Sequence, residues 1–229
     1  AARLEEVRDL IQAPGSVPLL VADATDATAL RRLAAGAHAV ITTVGPYQLH
    51  GEPLLKACVD TGCDYVDLCG EPAWMAQMIR RHHSAAQASG ARIVFSGGFD
   101  SVPFDLGVRF LQHHALQRDG QPLQHVQGRV MLMKGGFSGG TAASLVETMA
   151  AMGRDPQAAR AMADPFALTP GFSGPPQPDL HQATLDDFTG AWSAPFVMAP
   201  INTKNVHRSN ALLGHLYGRD CVYDERMSC

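Results

Sequence analysis

The 229-residue chain reads as an α/β protein, a parallel sheet with helices on its faces followed by a second, α+β unit. Three observations carry this reading. Short apolar runs begin near residues 17, 39, 65 and 92, each separated from the next by a stretch with helical spacing. Gly or Pro closes those helical stretches, at Pro14-Gly15, Gly36, Gly62 and Gly90. Beyond about residue 118 the alternation stops, so the expected domains are 1–118 and 119–229.

Leu4, Val7, Leu10 and Ile11 share one face of a first helix. Val17 to Ala22 reads as a buried strand ending at Asp23, with Asp26 placed to cap a helix that carries Leu30 and Leu33. Ala39 to Val44 is the next strand, ending in Gly45-Pro46-Tyr47, and the helix after it is expected to hold Pro53 in its first turn. Tyr65 to Leu68 forms a short strand ending in Cys69-Gly70-Glu71, followed by a helix from Pro72 to Ser89. Arg92 to Phe95 is the fourth strand. Right-handed crossovers place all four strand ends on one edge of the sheet, which makes one site.

In the second unit, Val126 to Met133 alternates partly, as a strand of a different sheet does. Lys134 to Thr141 is glycine-rich and opens a helix. Asp164 to Pro178 carries five prolines and two glycines and is expected to be a long loop or lid. Trp192 to Tyr223 shows little periodicity.

Composition excludes several classes. Apolar content of 46% and charged content of 17% describe an ordinary folded chain. With 18 basic and 22 acidic residues and no basic stripe, nucleic acid is not an expected partner. No apolar run approaches the ~18 residues of a spanning helix. The odd number of cysteines, Cys58, Cys63, Cys69, Cys221 and Cys229, argues for reduced thiols and a cytoplasmic location, and their spacing matches no zinc motif.

The chain is organised around Ser96 to Gly107, where a strand gives way to a helix through two glycines, an aromatic and two carboxylates. Ser101 is read as the cap of that helix and Asp105 as a charge near its positive end. That leaves Gly98, Phe99 and Asp100 as functional candidates. At the neighbouring strand end, Thr43, Val44, Gly45 and Pro46 let backbone approach a flat ligand. Asp23, with Ala24 beside it, either meets a ribose or adenine or forms a turn; the sequence leaves both open. A phosphate-loop reading of Gly135 to Thr141 fails for want of the lysine of GxxxxGK[ST], and no GxGxxG precedes any strand. The adjacent histidine pairs His82-His83 and His113-His114 point in diverging directions on helices, and are expected at the surface or in a groove.

Val40-Ile-Thr-Thr-Val-Gly-Pro-Tyr47, Gly51-Glu-Pro53, Asp64-Tyr-Val-Asp67, Gly70-Glu-Pro72 and Gly97 to Gly107 together resemble the saccharopine dehydrogenase-like oxidoreductases. Ser138 to Thr141 and Trp192 to Ala199 resemble more narrowly the branch called trans-acting enoyl reductases. The resemblance implies a Rossmann-like domain, incomplete at its N-terminus by a glycine-rich unit of roughly 35 residues, and a chain that continues beyond Cys229. It implies NADP or NAD as cofactor, with the residues that choose between them in the absent part. It further implies hydride transfer to an activated double bond of a small or lipid-like acyl substrate, with Trp192 to Ala199 and the glycine-rich helix start on the substrate side. Tyr47 is the expected proton donor and Asp100 the orienting group, and a homodimer is the oligomer kept open. The alternatives are a non-catalytic NAD(P)-binding or scaffold protein, and a fragment that binds no dinucleotide.

Overall fold

The computed structural model describes residues 2–136, 139–179, 181–187 and 189–229. Helix α1 spans Ala2–Leu10 and buries no side chain. Residues 17–22, expected as a strand, are extended coil with Val21 72% exposed. A strand needs a hydrogen-bonding neighbour, and among the described residues this segment pairs with none. Helix α2 (Ala27–Ala35) starts as expected, with Asp26 accepting from the amides of Thr28 and Ala29.

Strand β1 (Ala39–Thr42) leads to α3 (Tyr47–Thr61), β2 (Asp64–Asp67) to α4 (Pro72–Ser89), and β3 (Ile93–Val94) to α5 (Val102–Asp119). The three strands are parallel in the order β1-β2-β3. Helix α3 begins earlier than expected, so Pro53 lies inside it rather than in its first turn. The early start is possible because the first amides of α3 find an acceptor outside the helix, described below. Ser101 stands at the cap position of α5, but its side chain makes no capping bond.

One face of this sheet packs on the helices. Leu30, Leu55, Cys58, Val59, Tyr65, Trp74, Met75 and Met78 form its core, each large side chain worth roughly 1.5–3 kcal/mol on burial. Trp74 sits edge-on to Phe95 at 5.6 Å and tilted to Tyr47 at 5.7 Å. On the other face Ile41, Val66 and Val94 lie in register, and Ile41 is 76% exposed.

The second sheet comprises β4 (His125–Val130), β5 (Thr184–Leu185), β6 (Trp192–Pro195) and β7 (Val222–Ser228) in the order β4-β7-β6-β5. Strands β4 and β7 are parallel and the other pairs antiparallel. Between β4 and β5 lie α6 (Gly139–Arg154) and α7 (Pro156–Ala163), and α8 (Ala199–Leu212) lies between β6 and β7. Val108 of α5 and Val206 of α8 pack with Val126, Tyr217, Cys221 and Tyr223 as a second core.

The stretch Asp164 to Pro178 contains no helix or strand, as expected, but it is no lid. Phe166, Leu168 and Thr169 are buried, and Leu168 completes the core of the first sheet. The Phe166 ring lies 4.4 Å from His207, and Arg208 donates to the Leu168 carbonyl at 3.2 Å.

Candidate dinucleotide site

The carboxyl ends of β1, β2 and β3 meet at one edge, where three buried side chains tie their loops together. The Tyr47 hydroxyl donates to the Thr42 carbonyl (3.1 Å) and accepts from the Leu68 amide (3.2 Å), joining the ends of β1 and β2. Asp67 joins β2 to β3. One of its oxygens accepts from the amides of Cys69 (2.9 Å) and Ser96 (3.0 Å), the other from the Tyr65 hydroxyl (2.9 Å). Burial pushes its carboxyl up to about 6 despite those donors. Glu71 reaches back across the edge, accepting the amides of Tyr47 at 2.9 Å and Gln48 at 2.8 Å, the first two of α3.

Gly97 belongs to the same frame. A Cβ there would fall 2.4 Å from Val66 Cγ1, so the glycine is required by packing on β2. The Gly97 amide bonds the Asp67 carbonyl at 2.6 Å, and the Ser96 hydroxyl the Cys69 carbonyl at 2.6 Å. The next residues are tied to the second sheet. Asn202 of α8 donates to the Asp100 carbonyl (2.9 Å) and to Glu225 (2.8 Å), which also accepts from the Tyr223 hydroxyl (2.6 Å). Glu225 is fully buried, and burial raises its carboxyl to about 7.

What this frame leaves open is apolar. Val44, Leu68 and Phe99 are exposed at the loop tips, Phe99 at 90%. Gly45 is joined to Pro46 by a cis peptide bond and lies beside Ser144 of α6, whose hydroxyl would be 3.4 Å from a Cβ at that position.

Residues 2–94 match the saccharopine dehydrogenase NADP binding domain. This stretch is similar to that domain family. The match runs from α1 through β3, including the loops of Thr43–Pro46 and Cys69–Glu71. Beyond it, the whole chain is similar to curated proteins. A trans-acting enoyl reductase of Mycobacterium leprae is 40% identical over 99% of this chain and 56% of its own length. One of Mycobacterium bovis is 40% identical over 92% of this chain and 53% of its own. A Mycobacterium tuberculosis protein, given the same name provisionally, is 45% identical over 92% of this chain and 52% of its own. The chain therefore spans about half the length of these relatives. No solved structure matches it.

Thr43, Val44, Gly45 and Pro46 follow β1 within the matched stretch, and Gly98, Phe99 and Asp100 follow β3 just beyond it, all at the strand-end edge, with Asp100 exposed. Asp23 and Ala24 lie at a turn, where Asp23 accepts from the Thr25 amide (2.8 Å) and hydroxyl (2.6 Å) and is held below its usual range by them. Tyr47 is 5% exposed, its hydroxyl is committed to two backbone groups, and burial raises it to about 12. That environment opposes proton donation and suits a brace.

Ser138 lies outside the described residues, and Trp192 is exposed. Phe196 and Ala199 are core, Phe196 stacking on Phe104 of α5 at 5.7 Å rather than lining the edge. Asp105 sits in the first turn of α5 but accepts from Ser209 at 3.0 Å, and burial raises its carboxyl. His82 and His83 line a groove of about 240 Å³, and His113 and His114 are exposed.

The residues present suit one end of a dinucleotide. Apolar tips and close-approaching backbone fit a flat, weakly polar ring.

Proposed function

We propose that the protein to which this chain belongs is an NAD(P)-dependent oxidoreductase that reduces an activated double bond of an enoyl, lipid-type acyl substrate. The observation that carries this reading is the braced strand-end edge with Val44, Leu68 and Phe99 exposed on it, at the ends of strands that a match to an NADP binding domain covers over residues 2–94. The similarity to trans-acting enoyl reductases supplies the substrate class.

Thr43 to Pro46 and Gly98 to Asp100 would hold the nicotinamide end, with the Asp100 carboxylate able to accept from a carboxamide. When bound, the dinucleotide supplies a hydride. The apolar loop tips exclude water from the ring, and the Asn202–Glu225 pair holds the Asp100 backbone in place. Tyr47 acts as a brace.

Titration of NADPH and NADH, followed by dinucleotide oxidation with an enoyl thioester, tests the reading. Tyr47→Phe separates the two roles of that residue. A brace predicts weaker cofactor binding with kcat kept within about tenfold, whereas loss of a proton donor costs roughly 10²–10⁴-fold in kcat. Binding without turnover by the wild-type protein would leave a dinucleotide-binding scaffold.

A further inference from the structure

The amino end of a helix after a parallel strand is the usual seat of a ligand's phosphate, because its amides lack partners and its dipole is positive there. At α3 the seat is already taken. Glu71 is 3% exposed, and its two carboxylate oxygens accept the amides of Tyr47 and Gln48. Glu71 is itself fixed from both sides. Its amide points to Cys69 Sγ at 3.3 Å, and its carbonyl accepts the Met75 amide that opens α4. One residue thus joins the starts of two helices directly behind the Thr43–Pro46 loop. The Tyr47 hydroxyl fastens the same loop from the other end.

We infer that Glu71 is the positioning residue of this loop, and that its carboxylate turns phosphate away from α3 so that the loop receives the phosphate-free nicotinamide end. The inference rests on the dinucleotide reading above. A fixed internal anion repels a second one at the same amides and leaves no donor for it. Specificity for the nicotinamide end therefore comes from a filled anion seat, with the ring held by the loop that seat stabilises.

The test compares two probes, NADPH and 2′-phospho-ADP-ribose, the second lacking the nicotinamide. Both are titrated by calorimetry into the full-length protein as wild type, Glu71→Gln and Glu71→Asp. Glutamine removes the charge and replaces one acceptor with an amine that cannot accept the second amide. NADPH is expected to weaken about tenfold with Gln, on the scale of one charge-assisted bond, and less with Asp. Affinity for 2′-phospho-ADP-ribose should stay within about twofold with Asp, which keeps the charge, and should hold or rise with Gln, which removes it. Equal weakening of the two probes, as general loosening of the fold gives, overturns the inference, and so does no change in either. If Gln fails to fold by its thermal melt, Asp alone carries the same comparison. Wild-type protein that binds neither probe refutes the dinucleotide reading itself and the inference with it. Wild-type binding of both puts only the role of Glu71 at stake.

Discussion

Glu225→Gln should make the protein more stable at alkaline pH while leaving it little changed near pH 5. Glu225 is fully buried, with one oxygen accepting from Asn202 and the other from the Tyr223 hydroxyl, and its carboxyl is raised from 4.5 to about 7. A raised carboxyl means the folded state holds the proton more tightly than the unfolded chain. Its favourable contribution is complete below the unfolded value, declines as pH rises between the two values, and is gone above about 7. At about 1.4 kcal/mol per unit, ionising Glu225 in place costs about 3 kcal/mol at pH 8 and under about 1 kcal/mol at pH 5. Glutamine keeps the acceptor toward Asn202, can donate to a reoriented Tyr223 hydroxyl, and carries no charge. Urea unfolding of both proteins at pH 5 and pH 8 measures the effect. The gap between variant and wild type should grow by about 2 kcal/mol in the variant's favour. Asp67, also raised, titrates equally in both proteins and cancels. A gap that is the same at both pH values would refute the reasoning, because it would mean that Glu225 ionises without penalty.

Two glycines make opposite predictions. Gly97→Ala should cost about 1–3 kcal/mol by overpacking, since its methyl would meet Val66 at 2.4 Å, and a lower urea midpoint reports it. Gly107→Ala should stabilise by about 0.5–1 kcal/mol, because it lies inside α5 with nothing within 4 Å of its Cβ, and the same unfolding curve shows the gain.

The first half of the chain was largely legible. Helix α4 keeps its expected bounds because Pro72 opens it, Gly90 closes it in a left-handed conformation, and Trp74, Met75, Met78 and Ile79 mark its buried face. The second half hid its elements for a physical reason. Helix α8 buries Asn202, Thr203, Lys204, His207 and Asn210, so no apolar stripe announces it. Lys204 survives inside by donating to the carbonyls of Met162 (2.7 Å) and Pro200 (2.8 Å), with burial lowering it to about 8. Strand β7 reads as a polar tail, yet Asp224, Glu225 and Arg226 are buried in the middle of a sheet. The site divides in the same way. The loop tips stood out through Gly, Pro and Phe, whereas Glu71, Asp67 and Asn202 act across strands or domains. Their partners lie 23, 29 and 102 residues away, beyond the reach of local patterns.

Leu168 carries one more consequence. It comes from the proline-rich stretch, yet its side chain fills the core beneath the first sheet, and its carbonyl holds Arg208 of α8. Val108 makes the reverse trade, lending α5 to the second core. The two halves are laced through one another rather than strung on a hinge. A swing about residues 119–120 would have to pull Leu168 out of its seat, so the stretch that looked like a door is a bolt.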